Sequence, residues 1–203
     1  SSNTHVADYL GQFLKAEKSF SPQLIELKKN AISNFEQLGF PTTRNEEWKY
    51  TNLAALLKNN FQVTGKELRL TKEDIRQFLT EEENTILLVF ENGKFNNSLS
   101  KTLSLPKGII VGNLNEYSDH HAVKKYLGKI ALHNNESFVA LNTALFQQGA
   151  FIYADKDIIC DKAIHLLFIN DARNSATVTY PRNLVVAAPG SSLKISESYY
   201  SIH

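Results

Sequence analysis

The sequence predicts an α+β fold in which helices come first and β-strands last. Apolar residues near the start recur at spacings of three and four, which is the period of an amphipathic helix. From Gly149 onward, short β-branched and aromatic runs follow one another closely, separated by Asp, Asn, Pro and Gly. We therefore divide the chain into a helical region at 1–60, a small α+β segment at 61–136 and a β core at 137–203.

Helices are predicted on both sides of Phe40. The first carries the apolar positions between Val6 and Leu14. The second begins at Ser21-Pro22, an N-cap followed by proline at the first helical position, and ends at Gly39. Thr51 can cap a third, short helix through Leu57.

The middle segment mixes helices and strands. Thr71 with Asp74 forms a capping box for a helix to about Leu79, and Asn92-Gly93 is typical of a tight hairpin turn. The turn joins a strand at Thr85–Phe90 to a return at Lys94-Phe95. The other predicted elements are a strand at Ile109–Val111 and helices at His121–Leu127 and Ser137–Phe146.

The β core contains six predicted short strands. They are Phe151–Tyr153, Ile158–Cys160, His165–Ile169, Ala176–Tyr180, Leu184–Ala187 and Leu193–Ser196. Strands at this spacing fit a sandwich, a barrel or a parallel β-helix, and periodicity does not choose among the three. Because the sequence stops directly after a strand, we expect it to be part of a longer protein with an incomplete β core.

Composition and charge exclude several classes of function. Lys and Arg total 22 against 21 Asp and Glu, so no strong field favours nucleic acid or an anionic membrane. The longest apolar runs are far shorter than the roughly 20 residues of a membrane helix. The start carries no signal-peptide pattern, and a single cysteine favours a reducing compartment. We expect a cytoplasmic protein.

No catalytic, cofactor-binding or metal-binding residue is predicted. Glu46-Glu47 and Glu81–Glu83 are adjacent carboxylates, which do not point at one substrate atom and are typical of solvated surface. His120-His121 lacks a further ligand at metal-binding spacing, so a surface pair before a helix is favoured. His133 and His165 have no evident partner; His165 is expected at the edge of a strand.

The remaining chemical motifs are absent or isolated. Cys160 lies in an apolar run, where a cysteine behaves as a small hydrophobe, and one thiol cannot hold an iron-sulfur cluster. The sequence has no G-x-x-x-x-G-K-[ST] loop, no G-x-G-x-x-G loop after a strand and no G-x-S-x-G elbow. Nucleotide hydrolysis is therefore not expected of this chain.

Three stretches of sequence resemble the SufD family and, more loosely, its SufB relatives. The first is Phe40–Leu53, with the pattern Pro, Arg, Glu-Glu-Trp-Lys-Tyr-Thr. The second is Phe138–Tyr153, which contains Asn142 and Gly149. The third is Tyr180-Pro181-Arg182-Asn183-Leu-Val-Val, followed by Ser196-Glu197-Ser-Tyr199. We refer to them as the first, second and third signature stretches.

The resemblance implies a helical N-terminal domain followed by a right-handed parallel β-helix. It also implies a non-enzymatic scaffold subunit of the SufBCD iron-sulfur cluster assembly complex, which pairs with SufB and works with the SufC ATPase. The full complex would hold an iron-sulfur cluster transiently, and binding of a flavin by the complex is left open. This segment alone would bind no cofactor. Arg44, Trp48 and Tyr50 would form a structural corner that packs the N-terminal segment, and contact of this corner with a partner is left open.

Two other functions are kept as alternatives. A β-helix can present carboxylates on one face for polysaccharide chemistry, although the strands here supply mainly Ser, Thr, Lys and Asn. A homodimeric binding module without a cluster role is the second alternative. Uncovered β edges favour a partner in either the scaffold or the dimer.

Overall fold

The fold is taken from a computed structural model of the chain. It describes residues 11, 22–45, 49–50, 62–63, 67–79, 84–102, 105–127, 129, 136–146, 148–173 and 177–203. The predicted helices at Val6–Leu14 and Thr51–Leu57 lie outside these residues, apart from Gly11 in the first, which is helical.

Most of the predicted helices are confirmed, with small differences at their ends. Helix α1 covers Pro22–Leu38, and it ends at Gly39, whose positive φ of 65° suits the residue after a helix. The capping box of α2 is present, since the Thr71 hydroxyl accepts from the Asp74 amide and the Asp74 carboxylate accepts from the Thr71 amide. The helices that follow α1 are α2 Lys72–Arg76, a 3-10 helix at Leu114–Tyr117, α3 His121–Tyr126 and α4 Ser137–Leu145.

The strands follow the predicted order along the chain, except that the first of them is not among the predicted strands. Those of the first part are β1 Gln62–Val63, β2 Thr85–Glu91, β3 Lys94–Phe95 and β4 Ile109–Asn113. Those of the last part are β5 Ala150–Ala154, β6 Ile159–Asp171, β7 Thr177–Val178, β8 Leu184–Ala187 and β9 Ser192–Ile202. The turn between β2 and β3 has positive φ at both Asn92 and Gly93, as the sequence predicts for a tight hairpin.

The described strands form two larger sheets and a short parallel pair, β1 with β7. One sheet has the order β3-β2-β6-β9, in which β2, β6 and β9 are parallel. The other has the order β4-β5-β8, in which β5 and β8 are parallel and β4 is antiparallel to β5. From β5 onward, apart from the short β7, the chain alternates between the two large sheets. Strand β8 pairs in parallel with β5 in one sheet, and β9 pairs in parallel with β6 in the other. The architecture is mixed α+β, as predicted.

The two larger sheets face each other across an apolar core. Its buried members come from alternate positions of the strands, because successive side chains of a strand point to opposite faces. They include Ile86, Leu88 and Phe90 of β2, Ile109 and Val111 of β4, Ala150, Ile152 and Ala154 of β5, and Ile164, Leu166 and Phe168 of β6. The opposite face of β5 is covered by α3 and the 3-10 helix through Phe151.

Three sequence-based boundaries are wrong. The runs at Ile158–Cys160 and His165–Ile169 are not separate strands but parts of β6, which continues through a register shift between Ile159 and Ala163. Strand β9 extends to Ile202, well beyond the predicted end at Ser196. Helix α2 ends at Arg76 and is followed by turns up to Leu79.

Strands from both sides of the predicted boundary at residue 136 belong to the same sheets. Strand β2 pairs with β6, and β4 pairs with β5. The division of the chain into three domains stays a prediction. The segments 61–136 and 137–203, however, contribute residues to one apolar core. Within the described residues, no helix is both long and apolar enough to cross a bilayer.

Candidate functional site: the junction of the signature stretches

The three signature stretches meet in space where α1 packs against α4. Phe40 of the first stretch contacts Phe138 of the second at a ring-centroid distance of 6.1 Å and Phe35 of α1 at 5.1 Å. Tyr180 of the third stretch packs against the same apolar cluster. Residues quoted for a family resemblance therefore form one structural junction.

Other parts of the first stretch are not packed as predicted. Tyr50 is 91% exposed, and Arg44 is also exposed, so the prediction that both pack the N-terminal segment is wrong. Arg44 lies in a local turn in which the Thr42 amide donates to Asn45 Oδ1 at 2.9 Å. Trp48 and the Glu46-Glu47 pair lie outside the described residues.

Arg182 connects the third stretch to helix α4. Its guanidinium donates to Asn142 Oδ1 at 3.0 Å and to Thr143 Oγ1 at 3.2 Å, while the Asn142 amide donates back to the Pro181 carbonyl at 3.1 Å. Burial lowers the pKa of Arg182 below its ordinary value. Both acceptors are neutral oxygens, and no carboxylate takes part in these contacts. Arg182 therefore holds the third signature stretch against α4.

Gly149 lets the same segment pass close to β5. A Cβ atom at this position would lie 1.8 Å from the Arg182 carbonyl oxygen, far inside van der Waals contact. Only a residue without a side chain fits there. The close approach of the Arg182 backbone, in the third signature stretch, therefore explains why glycine occupies position 149 in the second.

Asn183, Glu197 and Tyr199 extend the junction to the last strand. Asn183 Oδ1 accepts from the Ala150 amide at 2.9 Å, and its Nδ2 donates to Glu197 Oε1 at 3.2 Å. The Tyr199 hydroxyl donates to Glu197 Oε2 at 2.8 Å. Burial, together with the nearby Glu197 carboxylate, raises the pKa of Tyr199 to about 12.

Lys28 is a buried charged residue that sequence reasoning missed. Its Nζ donates to the Ala144 carbonyl at 3.1 Å and to the Phe146 carbonyl, and it lies 3.7 Å from the centroid of the Phe146 ring. Burial, and secondarily the charge of Arg182, lowers the pKa of Lys28 to about 7. Helical spacing could have found it, because position 28 lies on the same face as Leu24, Ala31 and Phe35.

The adjacent histidines lie at the start of α3, where half-buried His120 is the N-cap and exposed His121 is the first helical residue. His120 Nδ1 accepts from the Ala122 amide at 3.2 Å, and its ring lies 4.9 Å from that of Tyr153. Burial and then the neighbouring His121 lower the pKa of His120. No group of three or more His, Cys, Asp or Glu side chains suited to a metal comes together within the described residues.

Cys160 and His165, two further residues considered as candidate site residues, both lie in β6 and make contacts within the fold. Cys160 is buried in β6, and its Sγ lies 3.6 Å from the Lys162 carbonyl. His165 lies inside β6 rather than at the start of a strand, and its Nε2 is hydrogen-bonded to Ser198 Oγ at 3.0 Å. Burial lowers the pKa of His165. His133 and Glu81–Glu83 fall outside the described residues.

Comparison with known proteins supplies the family. A family model described as the SufBD protein N-terminal region matches residues 4–166, which is most of the chain. The chain belongs to the SufBD family. The resemblance inferred from the three signature stretches is confirmed. The first two of those stretches lie entirely within the matched range.

Individual SufBD relatives agree with this assignment. An iron-sulfur cluster assembly SufBD family protein of Synechocystis sp. is 31% identical over 181 residues, covering 88% of this chain and 40% of that protein. The iron-sulfur cluster assembly protein SufD of Bacillus subtilis is 25% identical over 201 residues, covering 96% of this chain and 45% of that protein. The chain therefore spans less than half the length of these two SufBD proteins.

Proposed function

We propose that this chain is part of a non-enzymatic, cytoplasmic scaffold for iron-sulfur cluster assembly, which pairs with SufB and works with the SufC ATPase. The observation that carries the proposal is the similarity to SufBD proteins along almost the whole chain. The junction supports it, because the signature residues Gly149, Arg182 and Asn183 contact the backbone and polar side chains of the same chain. These contacts hold elements of the chain together, and none of them joins a nucleophile to a base.

In this proposal the cluster is cargo of the complex. We assign neither it nor a flavin to a residue of this chain; among the described residues, no three or more His, Cys, Asp or Glu side chains come together in a group suited to a metal.

We also propose that the two larger sheets belong to a right-handed parallel β-helix. Two observations support it. Strand β5 pairs in parallel with β8, with Phe151 opposite Leu184, a separation of 33 positions. Strand β6 pairs in parallel with β9, with Ile164 opposite Ile195, a separation of 31 positions. Near-equal separations in both sheets are expected when successive turns of a solenoid stack on each other.

The scaffold role is tested by co-purification. A tagged full-length natural protein is expressed with SufB and SufC of the same organism, and the complex is analysed by gel filtration and mass. We expect the three chains to elute together in a fixed ratio. Elution of the tagged protein without SufB and SufC would contradict the proposal.

A second experiment tests the cellular role. Cells that lack the gene should lose activity of an iron-sulfur reporter enzyme while its polypeptide level stays constant, and the wild-type gene should restore that activity. Unchanged reporter activity in cells without a second assembly system would contradict the proposal.

A further inference from the structure

Residues 67–79, which contain α2, form a strap over the outer face of the sheet β3-β2-β6-β9. Leu70 and Ile75 of the strap are buried against this face, and Phe78 packs beside them. The sheet residues under the strap lie at the positions that alternate with the inward-facing ones; they are Val89 of β2 and Leu167 and Ile169 of β6. The strap contributes no side chain to the apolar core between the two larger sheets. It therefore covers the sheet from outside.

Apolar contacts hold the strap only weakly. Leu70 and Ile75 are its only buried residues, Asp74 and Phe78 are half-buried, and the rest of the strap is exposed. Helix α2 has five residues, and a helix of this length is not stable in water without tertiary contacts. Segments with few buried apolar contacts open at a lower free energy than core strands do. The strap is therefore suited to open locally.

A buried carboxylate fastens the beginning of the strap to β2. Glu91, at the end of β2, is 1% exposed. Its Oε1 accepts from the amides of Arg69 and Leu70, the latter at 3.1 Å, and its Oε2 accepts from Asn96 Nδ2 at 2.9 Å. These donors compensate the burial of the carboxylate. Residues 69 and 70 are thus fixed to the sheet through their backbone.

An arginine fastens the helix of the strap. Asp171, at the end of β6, accepts from Arg173 Nε and Nη2 through its two carboxylate oxygens, each at 2.8 Å, and the Asp171 amide donates to Asn92 Oδ1 at 2.9 Å. The guanidinium is therefore oriented from the side of the sheet. Its Nη1 donates to Asp74 Oδ1 at 2.9 Å, while Asp74 Oδ2 accepts from the Thr71 amide in the cap of α2. When the strap lifts, the contact between Arg173 and Asp74 is the one that separates.

The end of the strap contacts the last strand. The ring of Phe78 stacks on that of Tyr200 in β9, with centroids 4.1 Å apart and an interplanar angle of 17°. Ile202 packs against the same apolar cluster, and its carbonyl accepts from the Ala172 amide at 2.8 Å. Lifting the strap therefore also uncovers one face of Tyr200 near the end of β9.

We propose that the strap opens as a local unit while the two larger sheets stay folded, and that Arg173, held by Asp171, is the latch that keeps it closed through Asp74. The closed strap is the resting state, because opening exposes Val89, Leu167 and the other apolar residues under it to water. Opening leaves the core between the sheets buried, so it requires less free energy than global unfolding. The inference is independent of the proposed role in cluster assembly.

Native-state hydrogen exchange of the full chain tests the latch. Asp74→Asn removes the charge that faces Arg173 and keeps a side-chain oxygen for the cap of α2. We expect the strap amides, such as those of Leu70 and Phe78, to exchange about three- to tenfold faster, with the amides of β2 and β6 unchanged. Glu73→Gln is the matched control. It lies in the same turn and loses only an exposed ion pair with Arg76, so exchange should change by less than about twofold.

A double-mutant cycle assigns the effect to Arg173. In an Arg173→Gln background, Asp74→Asn should change exchange of the strap by less than about twofold, because the ion pair is already absent. If Asp74→Asn acts equally in both backgrounds, or no more than Glu73→Gln does in wild type, Arg173 is not the latch and the inference is wrong.

The dependence of exchange on urea shows whether the strap opens locally. Local opening exposes little surface, so exchange of the strap amides in wild type should respond weakly to low urea concentrations, whereas exchange of the β2 and β6 amides should respond strongly. If the strap amides exchange as slowly as those of β2 and β6, with the same response to urea, the strap opens only when the whole molecule unfolds. That result would overturn the inference whatever the variants show.

Discussion

Lys28 shows how one buried ammonium group makes stability depend on pH. Its pKa is lowered to about 7, against an ordinary value of 10.5, mainly because the side chain is buried. Between these two values the unfolded chain binds the proton and the folded chain does not, so the free energy of unfolding rises with pH. Below about 7 both states are protonated, and the folded protein carries the full cost of the buried charge.

We therefore expect Lys28→Met to remove much of this rise. From pH 7 to pH 9.5 the stability of wild type relative to the variant should increase by an amount on the order of a few kcal/mol, since one pKa unit corresponds to about 1.4 kcal/mol. Urea unfolding at both pH values measures it. Lys107→Met, at an exposed position, should leave the pH dependence unchanged; equal slopes for wild type and Lys28→Met would contradict the lowered pKa.

Gly149 is the second residue with a direct consequence. A Cβ at this position would lie 1.8 Å from the Arg182 carbonyl oxygen, so Gly149→Ala must displace backbone on one side. We expect a loss of about 3 kcal/mol or more, seen as a fall of about 6 to 12 °C in melting temperature by circular dichroism. Gly11→Ala is the control, because a Cβ there has no neighbour within 4 Å. A melting temperature like that of wild type for Gly149→Ala would show that the close approach is absent.

At the scale of the element, α3 depends on a titratable cap. His120 Nδ1 accepts from the Ala122 amide, which requires the neutral ring. Burial, then His121, lowers the pKa of His120, whereas Asp155 acts in the opposite direction. The unfolded chain thus takes up the proton first as pH falls below about 6.5, and the stability due to the cap is present above this pH and lost below it.

His120→Asn should keep the cap and remove this pH dependence, because asparagine is a favoured N-cap residue. The difference in melting temperature between pH 7.5 and pH 5.5 should be smaller for the variant than for wild type. His203→Asn, at an exposed position, is the control for a histidine outside the cap. A variant as sensitive to acid as wild type would show that the sensitivity arises elsewhere, for example at His165.

Elements defined by neighbouring residues could be predicted from sequence. The capping box of α2 and the hairpin turn at Asn92-Gly93 follow from spacings of a few residues, and both are present. Strand β6 could not be predicted as one element, because Asp161 and Lys162 interrupt its apolar pattern. They lie at the register shift, through which the strand continues, and this shift is a property of its pairing with β9.

The junction shows the same limit for the candidate site. The signature stretches could be identified from sequence, but the contact of Arg182 with Asn142 and Thr143 spans about 40 positions and depends on tertiary packing. Lys28 was missed because a lysine on an apolar helix face is ordinarily at its margin. Its partners, the carbonyls of Ala144 and Phe146, become available only when α4 ends beside α1.

At the scale of the whole molecule, the two larger sheets connect distant parts of the chain. Strand β2 pairs with β6 at seven register positions, and β4 pairs with β5 at five. Leu88 and Phe90 of β2 therefore share a buried core with Leu166 and Phe168 of β6. Neither side can bury its apolar face alone, so the chain should unfold as one cooperative unit despite the segment boundary predicted at residue 136.

We expect residues 1–136 and 137–203, expressed separately, to lack a cooperative thermal transition, and to regain one when they are expressed together. The reason is that the separated pieces expose the buried residues of β2 and β6 to water. The control is the intact chain with a protease site inserted beside Glu136, an exposed residue, and cleaved after folding; its halves should stay associated on gel filtration. A cooperative transition for 137–203 alone would show instead that the β core folds without β2 and β4, and that the boundary separates two domains.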